Sequence, residues 1–164
     1  MIDRGIGRLF EHSGGGAYLL EAILDASKAL KKREARRPVI VAFDAEASTE
    51  FSPQTYNEIE DALRNANATL WAIDLSSPAG QGRSDEARNR NIVLGDVTRK
   101  SGGAQDSLLD RMIIEKRFGD LAARLLSQYA VTYSRPESLI PPSKLDVAAK
   151  REDVRVMAPH WTGQ

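Results

Sequence analysis

The sequence has no cysteine, which excludes disulfide frameworks, thiolate nucleophiles and every metal site built on sulfur. Histidine is nearly absent as well: His12 and His160 fall near the two ends. Neither has a serine or cysteine in a recognisable nucleophile motif, so both read as surface residues. No apolar run approaches the ~18 residues that cross a bilayer. Residues 1–10 carry Asp3, Arg4 and Arg8 where a signal peptide would have its apolar segment, which leaves the compartment open. Net charge is lacking too: 23 Lys plus Arg offset 23 Asp plus Glu, and no global field draws the chain to nucleic acid or anionic lipid. The local cluster Lys31-Lys32-Arg33 with Arg36 and Arg37 has no interleaved aromatics and reads as a solvated helix end.

What remains is an ordinary globular composition. With 164 residues, 41% of them apolar, the chain can bury one core, and we expect a single domain over residues 1–164. Gly14, Gly15 and Gly16 break the chain before Leu19, Leu20, Ile23, Leu24, Ala26, Ser27 and Leu30, which recur at helical spacing. Glu21 and Asp25 lie early in this helix and Lys31, Lys32 and Arg33 late, the order that complements its dipole. The glycines read as a turn rather than an anion cradle, because no strand visibly precedes them and no Gly-Lys-Ser/Thr follows.

Val39-Ile40-Val41-Ala42-Phe43 is a continuous apolar run ending at Asp44, the pattern of a strand buried on both faces. Ser52 is the expected N-cap and Pro53 the first residue of a helix lined by Tyr56, Ile59, Leu63 and Ala66. Residues 69–75 form a second strand with Asp74 near its end. The loop 76–85 holds Pro78, Gly80 and Gly82. A helix over 88–100 buries Ile92, Val93 and Val97 and stops at Gly102-Gly103. A short strand follows at 104–108, then a helix over 109–127 weakened by Gly119 by about 1 kcal/mol relative to Ala. Residues 129–133 predict a third strong strand, and residues 145–149 and 154–158 alternate as an antiparallel hairpin. Trp71 is assigned to the core and Trp161 to an exposed end. The order predicts an α/β fold, a three-layer Rossmann-like sheet with mostly parallel core strands and a C-terminal antiparallel hairpin.

Four segments in order resemble a bacterial branch of the von Willebrand factor type A domains: Gly15-Gly16-Ala17-Tyr18-Leu19-Leu20-Glu21-Ala22-Ile23, residues 39–46, Lys100-Ser101-Gly102-Gly103, and Gln128-Tyr129-Ala130-Val131-Thr132-Tyr133 followed by Pro136. The resemblance implies a divalent cation, Mg2+ or Mn2+, at the C-terminal ends of the parallel strands, held by an Asp-x-Ser-x-Ser loop, a threonine and an aspartate. This chain has no Asp-x-Ser-x-Ser, has Ala17 at the threonine position, and keeps only Asp44, with Ala45 after it and Glu46 beyond. A hard cation needs about six oxygen ligands, so Asp44 and Glu46 leave such a site degenerate and without a bound cofactor, and a solvated strand-end carboxylate is the favoured reading of Asp44.

The resemblance also places the 39–43 strand beside a first strand that this chain lacks, as if the domain were truncated at its N-terminus. That apolar edge needs a cover: upstream chain, residues 1–12, or a second copy in a homodimer. The expected function is a non-enzymatic protein-interaction or adhesion-type module. Its binding loops would hold Gly15, Gly16, Ala17, Asp44, Ala45, Glu46, Ser76 and Ser77. The alternatives are a metal-dependent ligand-binding domain completed by a partner's carboxylate, and a metal-dependent hydrolase using Asp44 and Asp74. Relatives of this kind are commonly exported.

Overall fold

The computed structural model describes residues 16–44, 49–75, 84–108, 113–129, 131, 146–154 and 156–161. Its elements follow the apolar periodicity: α1 (Leu19–Lys32), β1 (Val39–Asp44), α2 (Tyr56–Ala66), β2 (Thr69–Asp74), α3 (Asp85–Ile92), β3 (Gln105–Ser107) and α4 (Ile114–Leu126). Helix α3 runs without a break into a π-helical segment, Val93–Val97, and a last α turn, Thr98–Lys100. The described strands form one parallel sheet in the order β1-β2-β3. This is an α/β arrangement of Rossmann-like character.

Alternation along each strand divides the side chains between two layers. Ala42 and Leu70 face Leu20 and Ile23 of α1, Ile59 and Leu63 of α2, and Val93 and Val97 of the π segment. Trp71 and Ile73 face the other way, toward Leu121 of α4 and Leu108. Leu20, Ile59, Leu63 and Leu70 are wholly buried, each contributing about 1.5–3 kcal/mol of apolar burial. Gly103 is required where the chain turns into β3, because a Cβ there would lie 1.7 Å from the Leu70 carbonyl oxygen. Gly102 beside it has a φ of +87° that L side chains rarely adopt.

The cap of α2 lies three residues later than the sequence suggests. Thr55, not Ser52, is its N-cap, in a reciprocal capping box with Glu58. The Thr55 backbone N–H and then its hydroxyl hold the Glu58 carboxyl below the usual carboxylate range. A depressed carboxylate pKa contributes stability above its ordinary value, and that contribution is lost as pH falls through the lowered one. Thr55→Ala is expected to cost about 1 kcal/mol, read by urea denaturation at neutral pH, with a smaller difference in acid once Glu58 is protonated.

Several expectations need correction. Strand β1 is not buried on both faces: Val41 and Phe43 are 40% and 42% exposed. Helix α4 lies over β2 and meets this part of β1 through the Phe43–Phe118 ring pair, centroids 5.8 Å apart. Among the described residues β1 pairs with β2 alone. Of the expected strand at 129–133, Tyr129 and Val131 are extensively exposed and belong to no strand, while residues 130, 132 and 133 lie outside the described residues.

The C-terminal hairpin is absent from residues 146–154 and 156–161, where Val147, Val154 and Val156 stay exposed. Residues 145 and 155 lie outside the described set. Trp161, expected at the surface, is 5% exposed and packs in the α1/α2 core under the Arg64 guanidinium. His160 donates its backbone N–H to Lys100 O at 2.8 Å and so ties this end of the chain to the last turn after the π segment.

Candidate functional site

In a parallel sheet with helical returns, every strand ends where the next helix begins, so C-terminal strand ends and helix N-termini gather at one edge. Here the register sets Asp44 directly beside Asp74. Adjacent strands lie about 4.8 Å apart, so two carboxylates are juxtaposed at the sheet edge. Their side chains are only 11% and 4% exposed. Asp44 is therefore not the solvated residue its strand-end position suggests. Two carboxylates buried this close call for a positive group beside them.

Helix α3 supplies it. The Ser84 hydroxyl accepts the Ala87 N–H at 3.2 Å and caps the helix, with Asp85 and Glu86 in the first turn. Ala87 and Arg90 share the inward face at i, i+3 spacing, and both are buried. Arg90 Nη2 contacts Asp44 Oδ2 and lies 3.9 Å from Asp74 Oδ1. Burial pulls the Arg90 pKa below its ordinary value, yet a guanidinium does not lose its proton in a protein. Arg90 Nε has no hydrogen-bond partner among the described residues.

Two contacts fix where α3 sits. Asn89 Oδ1 accepts the Tyr56 N–H at 3.2 Å and joins α3 to the start of α2. On the far side of the π segment, the Thr98 hydroxyl donates to Val93 O at 2.9 Å inside the core.

The start of α1 is treated in the same way with the opposite sign. Its N-cap residue, Tyr18, offers no capping side chain. Glu50, 2% exposed, instead brings a carboxylate to the helix end, where Oε1 accepts the Leu19 and Ser52 N–H groups, both at 3.1 Å. Ser52 Oγ accepts the Glu21 N–H at 3.1 Å. Ala17 completes the arrangement as a parallel β-bridge to Glu50, donating to Thr49 O and accepting from Phe51 N, both at 2.8 Å. A helix N-terminus favours an anion, and this chain places its own there. Beside it, Tyr18 and Phe51 are 56% and 52% exposed, with ring centroids 6.2 Å apart.

Of the residues singled out from sequence, Gly16 lies against the Phe51 ring, Ala17 makes the bridge, and Asp44 joins Asp74. Gly15, Ala45, Glu46, Ser76 and Ser77 lie outside the described residues. The described residues do not fit a divalent cation: no group of three or more His, Asp and Glu side chains converges among them, and a guanidinium already touches Asp44. His160 is exposed, and Lys31, Lys32 and Arg33 form a solvated helix end.

Arg90 and Glu50 escaped the sequence reading. The available signal for Arg90 was a charged residue in phase with the buried Ala87, Val93 and Val97. Glu50 carried no local signal for its capping role, because the helix end it caps, at Leu19, is 31 residues away in sequence. No helix among the described residues is long and apolar enough to cross a membrane. No protein-family model and no curated protein matches the chain.

Proposed function

We propose that this chain is a non-enzymatic protein-interaction module of the von Willebrand factor type A kind, with a degenerate metal site and recognition through the loops at the strand C-terminal edge. The observation that carries this reading is that the edge is filled from within. Arg90 meets the strand-end carboxylate of Asp44, and Glu50 caps α1. A site that must deliver a Lewis acid or bind a free anion needs those positions open. Among the described residues, the exposed Tyr18–Phe51 pair lies beside the start of α1, and aromatic side chains are enriched in protein interfaces.

Calorimetry with Mg2+, Mn2+ and Ca2+ on the purified chain is expected to give no saturable heat. Saturable binding that disappears in Asp44→Ala would instead favour a metal-dependent domain completed by a partner's carboxylate.

The β1 edge favours a second, compatible reading, a homodimer through Val39–Asp44. The strand has no charge, proline or bulge along Val39–Phe43 to guard it, and Val41 and Phe43 leave an apolar face beside it. Sedimentation velocity is expected to show concentration-dependent dimerisation that Val41→Lys weakens. A monomer at every concentration would remove this reading.

A further inference from the structure

The exposed apolar face of β1 meets an exposed apolar flank of α4. Leu121 and Leu125 of α4 already pack toward the sheet, yet Phe118, Ala122 and Leu126 continue the apolar surface in an i, i+4, i+8 row, and all three are exposed. Phe118 meets Phe43, so this row lies on the β1 side. The far flank carries Lys116, Arg117, Asp120 and Arg124 instead. Arg37 Nη2 donates to Leu125 O at 3.0 Å, which sets residue 125 near the start of β1 and residue 118 near its end. The helix therefore runs antiparallel to β1. Ala122, about 6 Å along the helix from Phe118, stands level with Val41 at the middle of the strand.

Area and charge select what covers this corner. Val41, Phe43, Phe118 and Leu126 together expose roughly 400 Å², and a stable interface takes about 800 Å² from each partner, a little over half of it apolar. A second copy offers the same corner, with unpaired strand N–H and C=O groups to match, and a two-fold contact of this kind closes on itself. Parallel pairing in register would set Asp44 against its own copy, extending the Asp44–Asp74 pair, and would align the exposed Arg36 and Arg37 with theirs. Like charges directly opposite destabilise a sheet, and antiparallel pairing separates both sets. It also leaves the two α4 helices on one face of the joined sheet. With each over its own β2 they stand three strand spacings, about 14 Å, apart. That exceeds the roughly 8–10 Å of direct helix contact by a gap that Phe118, Phe43 and Val41 of both copies fill.

We propose, resting on the β1-edge reading above, that this corner is a two-fold interface with a second copy of the chain. Strand β1 pairs antiparallel with its counterpart, and the two α4 flanks close over Val41 and Phe43 with Ala122 nearest the axis.

The chain has no cysteine, so single-cysteine variants report proximity without background. Ala122→Cys is expected to crosslink two copies through a bismaleimide spanning about 14 Å, at concentrations where sedimentation finds the wild-type chain dimeric. Lys116→Cys, on the far flank, is expected to give no crosslinked dimer. Phe118→Lys is expected to raise the dimer Kd by about tenfold or more. A dimeric wild-type chain in which Ala122→Cys fails to crosslink, Lys116→Cys crosslinks equally, or Phe118→Lys leaves the Kd unchanged would overturn the α4 interface while keeping the β1 edge. A wild-type chain that stays monomeric at every concentration would overturn both and assign the corner to a different polypeptide.

Discussion

Arg90→Ala is expected to lower the unfolding free energy by about 3–5 kcal/mol, the cost of removing one partner of a buried ion pair. The loss is not the Coulomb attraction alone. At an effective dielectric near 20, charges 4 Å apart attract by about 4 kcal/mol, and the native fold also bears the desolvation of every charged group involved. With the guanidinium gone, Asp44 and Asp74 keep the desolvation and lose that attraction. For a domain of this size the deficit corresponds to a fall in melting temperature of roughly 6–20 °C. Arg90→Lys retains the charge without the fork and is expected to fall between the two. Guanidinium chloride would confound the comparison, so urea is the denaturant to use.

The second large effect is expected at Glu50. Glu50→Ala leaves the Leu19 and Ser52 N–H groups, both now held by Oε1, without their acceptor. Each unsatisfied buried donor costs about 1–3 kcal/mol, and a negative group is removed from the N-terminus of α1. A total loss of about 2–4 kcal/mol is expected on that basis. Glu50→Gln keeps an acceptor oxygen and is expected to recover about half of it. Because Glu50 also forms the bridge to Ala17, hydrogen exchange of the Leu19 and Ala17 amides should accelerate in Glu50→Ala while amides of β2 keep their protection. Uniform acceleration across the sheet would indicate instead that Glu50 acts through global stability only.

Periodicity made most of the described elements legible. The stripe Tyr56, Ile59, Leu63 and Ala66 identified α2, the run at 69–75 identified the buried β2, and Gly102-Gly103 marked the turn into β3. Local pattern does not say which face of a strand finds a cover, and so the apolar run at 39–43 was read as doubly buried although α4 leaves Val41 and Phe43 exposed. Among the described residues of 145–158 the alternation forms no strand, for the same reason. A hairpin pattern states what a segment would do if a core awaited it, and Val147, Val154 and Val156 stay exposed.

The site itself was half legible. Asp44 and Asp74 stood out as strand-end acids, but their charge partner lies on a helix after the intervening loop. The Glu50 cap is a contact between residues 31 apart, beyond any reading by local spacing. Ser52 shows the limit most clearly: it is a capping residue, as its position before Pro53 suggested, but it caps α1 rather than α2.

A double-mutant cycle between Arg90 and Asp44 tests most directly whether the strand-end edge is satisfied by the chain's own charges. Unfolding free energies of Arg90→Met, Asp44→Asn and the double variant are measured in urea against the wild-type chain. A coupling of about 2 kcal/mol or more is predicted, with the double variant more stable than Arg90→Met alone. Effects that simply add, within about 0.5 kcal/mol, would contradict it.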